Sequence, residues 1–193
     1  MPHPDALHWN ARYASEQKYL FKQEPRPLLT SRLNLLPETG LALDVACGTT
    51  PSGIFLAERG WRVIGLDVAE TALRRVQARA KKDALPVSLA VVDLTRIRLP
   101  AARFDLILNF YYLERSLWSA YQQALKSGGL LFFETFLWHP EVEDHPEYYL
   151  QPDELRQAFA GWDILFYDEI NRPRRNEHGT KRVAQLVARK PFL

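Results

Sequence analysis

The sequence predicts an α/β fold: a doubly wound, seven-stranded, mostly parallel sheet, closed by a C-terminal antiparallel hairpin and preceded by an N-terminal helical lid. Three observations lead there. Short apolar runs alternate with amphipathic helical stretches from Leu41 to Phe159, the pattern of consecutive βαβ units. The runs are nearly continuous in their apolar character, as strands buried on both faces require. The last two runs, Trp162–Glu169 and Arg182–Ala188, are joined by the polar loop Ile170–Lys181 without a helix. Parallel neighbours need a crossover that is usually helical, so this pair is expected to be antiparallel.

The elements follow in order. Residues 5–22 suit an amphipathic helix, with Leu7, Trp9 or Asn10, Tyr13, Gln17 and Leu20 at near-helical spacing. Pro25 and Pro27 break it. A second short helix is expected over Leu28–Leu36, ending at Pro37-Glu38-Thr39-Gly40. Residues 1–40 are thus a helical lid belonging to the same domain as 41–193. Leu41–Ala46 is a buried strand closed by Cys47-Gly48, and Ser52–Arg59 is a helix ended by Gly60. Trp61–Leu66 is the second strand and runs into Asp67. Glu70–Lys82 is a helix with Leu73, Val76, Gln77 and Ala80 on one side. Val87–Val92 ends in Asp93, and Phe104–Asn109 is the fourth strand. Ser116–Lys126 is expected to be helical, with Ser127-Gly128-Gly129 stopping it before a strand over Leu130–Thr135. Pro152–Phe159 is the last helix before the hairpin.

Composition narrows the function. A chain of 193 residues suggests one domain, and 47% hydrophobic with 25% charged residues excludes a disordered tail. The longest apolar runs, near Leu106–Leu113 and Leu130–Phe136, fall well short of the roughly 20 residues that cross a bilayer. Met1–Asn10 has neither the basic nor the apolar region of a secretory leader. The lone cysteine, Cys47, allows no intrachain disulfide and fits a cytoplasmic protein. Twenty-five basic against 23 acidic residues announce neither a nucleic-acid nor a membrane partner. No heptad pattern demands an oligomer, so a monomer or a homodimer is expected.

Open α/β sheets bind ligands outside the carboxyl ends of their strands. Those ends carry Cys47-Gly48, Asp67, Asp93, Asn109 and Glu134 to Phe136. A carboxylate at the end of the second strand can accept hydrogen bonds from both hydroxyls of a ribose. The loop from Ala46 to Gly53 lacks the glycine spacing of a dinucleotide site, and Pro51 removes an N–H that a pyrophosphate would use. No Gly-Lys-Ser/Thr follows, so a P-loop fails too. Asp44, inside the first strand, is unhelpful to phosphates and favourable to a cationic ligand such as a sulfonium with an α-amino group.

Taken together, the stretch LALDVACGTTPSGIFLAERG (Leu41–Gly60) resembles motif I of the class I S-adenosylmethionine-dependent methyltransferases, whose usual form is acidic-x-G-x-G-x-G. The resemblance continues through GLDVAETAL (Gly65–Leu73), VVDL (Val91–Leu94), FDLILNFYYLER (Phe104–Arg115) and LKSGGLLFFETF (Leu125–Phe136). FLAERGW and the closing QLVARKP look most like the small tellurite-resistance-type branch. The resemblance implies a Rossmann-like fold, S-adenosylmethionine as cofactor, and methyl transfer to a small-molecule acceptor. It also implies roles. Ala46, Cys47, Gly48 and Thr50 form the loop against the methionine part, and Asp44 helps hold its amino group. Asp67 binds the ribose hydroxyls, Val68 covers an adenine face, Asp93 accepts from the adenine amino group, and the Leu94 N–H meets the ring. Asn109 lies beside the methionine moiety. Trp9 and Tyr13 resemble the W-x-x-x-Y of a leading helix that closes over the cofactor. Two motif glycines are replaced, by Ala46 and by Thr50 followed by Pro51. Thr50 places a Cβ where the backbone usually approaches the ligand, which leaves open a non-catalytic ligand- or partner-binding protein on the same fold.

Each candidate also has a plain structural reading. Asp67 and Asp93 could be turn residues, Trp9 and Tyr13 packing, and Cys47 a small buried side chain with no partner to lower its pKa. Catalytic candidates are Tyr111, Tyr112, Glu134 and His139, with no one of them preferred. Asn109-Phe110-Tyr111-Tyr112 lacks the paired prolines of amino-methylating relatives, which speaks against nucleic-acid methylation. His139, Glu141, Glu143, Asp144 and His145 are read as a solvated lid, not a metal site. Arg172, Arg174, Arg175 and His178 form either a solvated turn or a basic rim for an anionic substrate.

Overall fold

The computed structural model describes residues 4–15, 24–139, 145–173 and 180–192. Its centre is β1 (Leu41–Val45), every residue of which is buried. On one side β1 pairs in parallel with β2 (Arg62–Asp67), which pairs with β3 (Val87–Val91). On the other it pairs in parallel with β4 (Phe104–Phe110), which pairs with β5 (Leu125–Phe136). The terminal strands β6 (Asp163–Pro173) and β7 (Thr180–Arg189) are antiparallel to each other, and β7 inserts antiparallel beside β5. The order is β3-β2-β1-β4-β5-β7-β6. The reversal between β1 and β4 puts the switch point, where open sheets bind ligands, directly above β1.

Alternation along β1 divides the core. Leu41, Leu43 and Val45 join Phe133, Leu131 and Leu186 against α5 (Leu117–Ala124) and α6 (Glu154–Ala158). Ala42 joins Leu106, Leu108, Phe132 and Val187 on the opposite face. That face is covered by α2 (Pro27–Thr30), through Leu28 and Leu29, and by α3 (Pro51–Ala57), through Leu56 and Ala57. The helix α4 (Glu70–Lys82) lies against β3, and α1 (Pro4–Ser15) lies against α4. The Thr71 N–H donates to Asn10 Oδ1 at 2.7 Å, fastening α1.

Four expectations need correction. The second helix is not continuous over Leu28–Leu36: α2 ends at Thr30, where the Ser31 hydroxyl turns back onto the Pro27 carbonyl at 2.7 Å, and a separate 3₁₀ turn covers Leu33–Leu35. The helix expected over Ser116–Lys126 stops at Ala124, because Leu125 is fully buried as the pairing partner of Phe104. Ser127-Gly128-Gly129 is therefore no gap before the strand but a bulge inside it. Pairing steps from Phe104–Leu125 to Leu106–Leu130, Gly128 takes a left-handed φ of 74°, and Gly128 and Gly129 both bond to Lys190. The last helix is confined to Glu154–Ala158, after Asp153 in a left-handed conformation. The hairpin strands extend beyond their apolar runs to Pro173 and Thr180. Residues 16–22 of the first expected helix lie outside the described residues, as do Glu141, Glu143, Asp144, Arg174, Arg175 and His178.

Candidate active site

The loop after β1 is tied down by backbone bonds from Cys47 N–H to Leu66 O (3.0 Å) and from Thr50 N–H to Cys47 O (2.7 Å). Its turn puts Ala46, Gly48 and Thr50 at φ of 48°, 53° and 39°, so all three glycine positions of the motif are left-handed here, two of them without glycine. Cys47 is buried, and a Cβ on Gly65 would stand 2.9 Å from its sulfur. Burial, then Asp44 and Asp67, push its thiol well up, which disfavours the reactive thiolate. A Cβ on Gly48 would run into the Tyr13 hydroxyl, so α1 lays Tyr13 directly over the loop. Trp9 lies 6.0 Å from the Tyr13 ring.

Thr50 does not aim its side chain out of the loop. It is fully buried, donates from Oγ1 to Asp44 Oδ2 at 2.6 Å, and occupies the space a Cβ on Gly53 would need. Asp44 is 3% exposed. Burial raises its pKa to about 7, against the opposing pull of the Thr50 bond and of Arg26.

Asp67 Oδ2 accepts the Gly48 N–H and Oδ1 accepts the Ala69 N–H, both at 2.7 Å. Burial still raises its pKa over these donors. Val68 is half-buried beside it. Asp93 caps the turn Leu94–Arg96, its Oδ1 accepting the Thr95 N–H (3.0 Å) and hydroxyl (2.6 Å), while Leu94 is buried. Asn109 pairs with Val45 across the switch point and is 1% exposed. Its Nδ2 donates to the Tyr121 hydroxyl at 3.4 Å, and its Oδ1 has no partner in the structure.

A second group of side chains gathers past β4 and β5, on the face that α2 covers. Tyr111 has a left-handed φ of 63°, and its N–H donates to Glu134 O at 2.7 Å. Glu134 is fully buried. Its Oε2 accepts from Gln185 Nε2 and lies 3.2 Å from Arg172 Nη2. Arg26 stands 4.6 Å above the Tyr111 ring, Lys181 stands 4.1 Å from it, and Phe136 packs 5.0 Å away. Burial, with Glu134 as neighbour and hydrogen-bond acceptor, pushes the Tyr111 phenol up. Tyr112 turns to the other face, against the α5 core, and its phenol is also pushed up, by burial and then by Glu114 and Asp93. Two of the four catalytic candidates, Tyr111 and Glu134, are therefore brought together, and Tyr112 is not with them. His139 is half-buried two residues beyond the Leu137–Leu150 bridge. Arg26, Lys181 and Gln185 are absent from the sequence-based site. Only the hairpin register, which sets Gln185 opposite Glu134 and Lys181 opposite Arg172, could have pointed to the last two.

A methyltransferase-domain family model matches residues 42–129. The putative methyltransferase YqeM of Bacillus subtilis is 30% identical over 144 residues, covering 67% of this chain and 58% of that protein. The 2-heptyl-1-hydroxyquinolin-4(1H)-one methyltransferase of Mycobacteroides abscessus is 27% identical over 169 residues, covering 81% and 72%. Among solved structures, TehB from Haemophilus influenzae superposes with a TM-score of 0.77 at 18% identity, covering 94% of this chain and 67% of that one; this likeness is one of fold. Residues 42–129 carry a methyltransferase domain.

Within this methyltransferase domain the family model ends at Gly129. Glu134, Arg172, Lys181 and Gln185 all lie beyond it, and Arg26 lies before it. The loop and strand-end residues thus belong to the part shared with the family, and the cluster around Tyr111 is built largely outside it. Among the described residues no group of three or more His, Cys, Asp or Glu could hold a metal, and no helix is long and apolar enough to cross a membrane.

Proposed function

We propose that this chain transfers a methyl group from S-adenosylmethionine to a small-molecule acceptor seated past β4 and β5. The observation that carries the reading is Asp67, which anchors the left-handed loop through Gly48 while keeping acceptor capacity on both oxygens. The donor set suits the cofactor: a carboxylate for the ribose at Asp67, another for the adenine amino group at Asp93, and a partly ionised Asp44 for the cationic amino group. The unpartnered Asn109 Oδ1 adds a buried acceptor beside the loop. Val68 and Leu94 would flank the adenine, Ala46, Cys47, Gly48 and Thr50 would form the cradle, and Trp9 and Tyr13 would cover it as part of a lid formed by residues 1–40.

Bound S-adenosylmethionine supplies a methyl carbon already activated by its sulfonium. What remains for the chain is to align the acceptor and exclude water. Tyr111 stays protonated and donates toward Glu134, whose carboxylate is held by Arg172 and Gln185. A small acceptor is supported by the Mycobacteroides relative, named for a single hydroxylated heterocycle. The inward turn of Thr50 weighs against a non-catalytic reading, because its hydroxyl is engaged by Asp44 and not directed at the site. A cytoplasmic monomer or homodimer belongs to the same proposal. Calorimetric titration of S-adenosylmethionine and S-adenosylhomocysteine tests it. Binding of both, lost in Asp67→Ala, is expected; a folded wild-type chain that binds neither would overturn it.

A further inference from the structure

Asn10 and Tyr13, three residues apart, share one face of α1, while Leu7, Ala11 and Ala14 on the other side are exposed. Asn10 is committed at both ends of its amide. Its Nδ2 donates to the Ala6 carbonyl and its Oδ1 accepts the Thr71 N–H, each at 2.7 Å. Nearly one turn further along, Tyr13 lies over Gly48.

Thr71 is the second residue of α4. The first N–H groups of a helix have no partner within it, and a polar side chain at the N-cap usually accepts from the second or third residue. The N-cap of α4 is Ala69, whose methyl group can accept nothing. Asn10 supplies that acceptor from a different helix. The Ala69 N–H is taken by Oδ1 of Asp67, so Asp67 and Asn10 hold the start of α4 between them. The other oxygen of Asp67 holds the Gly48 N–H, beneath Tyr13. The helix α1 therefore spans Asp67: Asn10 touches down beside one of its hydrogen bonds and Tyr13 over the other. Burial contributes little to this attachment, because none of residues 5–15 is buried. A helix of 12 residues is marginal by itself in water, and an element with few buried apolar contacts opens at low cost. One cap bond is then a large part of what keeps α1 in place.

We infer that Asn10 is a latch, a positioning residue that holds α1 closed over the ligand site at Asp67 by capping α4 from outside. Opening α1 uncaps α4 beside the carboxylate. A ligand that requires α1 to be closed strengthens the cap in return, because coupling between two sites is reciprocal. That the ligand is S-adenosylmethionine or its product rests on the methyltransferase reading; the latch itself does not.

Two measurements test it in the wild type, Asn10→Leu and Asn10→Asp: amide exchange at Thr71 by nuclear magnetic resonance, and release of S-adenosylhomocysteine from the immobilised chain. Leucine is a good helix former without an acceptor. Aspartate gives up the Ala6 bond and keeps the acceptor, and it ranks with asparagine as a cap. Asn10→Leu should speed exchange at Thr71 by about fivefold or more, and release by a similar factor, as loss of a helix cap does. Asn10→Asp should lie much nearer the wild type on both counts. S-adenosylhomocysteine should slow exchange at Thr71 in the wild type. Amides of β1 and β4 should exchange alike in all three proteins, which reports a folded chain. Exchange at Thr71 indifferent to Asn10→Leu, release unchanged while exchange quickens, or aspartate behaving as leucine does, overturns the inference. Exchange that depends on Asn10 in a wild type that binds no S-adenosylhomocysteine keeps the latch and overturns the methyltransferase reading instead.

Discussion

Thr50 donates a 2.6 Å hydrogen bond to Oδ2 of Asp44 from a left-handed backbone, at a φ of 39°. A β-branched residue held there costs about 1–2 kcal/mol, and a buried hydrogen bond to a charged group returns about 1.5–3 kcal/mol. The two nearly offset each other, which is how a threonine can occupy a glycine position. Thr50→Val keeps the strain and loses the donor, and should destabilise the fold by about 2 kcal/mol. Thr50→Gly loses both, and should stay within about 1 kcal/mol of wild type. Urea unfolding midpoints decide between them; valine proving more stable than glycine would dismiss this account.

Gly53 and Thr50 are coupled through the same space. A Cβ on Gly53 would collide with Thr50 Oγ1 and stand 3.0 Å from Val63 Cγ1. Gly53→Ala alone should cost about 2 kcal/mol or more through overpacking. In a Thr50→Gly background most of that cost should vanish, because the nearer obstacle is gone. A double-mutant cycle should return a coupling of at least about 1 kcal/mol. Additive effects would mean that the Val63 contact dominates.

Asp44 also sets a pH dependence. Burial raises its carboxyl from 3.8 to about 7. Between those values the folded chain keeps a proton that the unfolded chain releases, so stability falls as pH rises. The penalty is absent below about pH 4, is complete just above pH 7, and amounts to roughly 2–3 kcal/mol between pH 5 and pH 8. Asp67 is raised as well and slopes the same way. Asp44→Asn should flatten the decline in unfolding midpoint from pH 5 to pH 8 without abolishing it. An unchanged slope would place the titration elsewhere.

The strand ends were legible because apolar runs mark buried strands and the first polar residue after each marks its end: Asp67 and Asn109 fall at the ends of β2 and β4, and Asp93 just beyond β3. Position alone could not say where a side chain turns. From its position Thr50 is an obstacle on the ligand side, yet its hydroxyl is buried in the protein on Asp44. Glycines misled in β5, since Gly128 and Gly129 signal a turn whether it ends a strand or bulges one. Arg26 and Lys181 were missed for a different reason. Each is an ordinary cation in a polar segment, and only the approach of the α2 start and the hairpin to Tyr111 sets both against one ring.

Asp67 is asked to do two things at once, and they can be separated chemically. Its carboxylate holds the Gly48 and Ala69 N–H groups and, in the proposed function, the ribose hydroxyls. Asp67→Asn keeps one acceptor and presents an amide to the other N–H, so the loop should loosen and the fold lose about 1–3 kcal/mol. S-adenosylhomocysteine should bind about tenfold more weakly or worse, having lost a charge-assisted contact. Loop damage alone would produce the same result, so the analogue lacking both ribose hydroxyls supplies the control. The wild type should lose affinity on going to that analogue, whereas Asp67→Asn should lose far less, because the partner of those hydroxyls is already impaired. Equal losses in both proteins would leave Asp67 as an anchor for Gly48 and move ribose recognition to another residue.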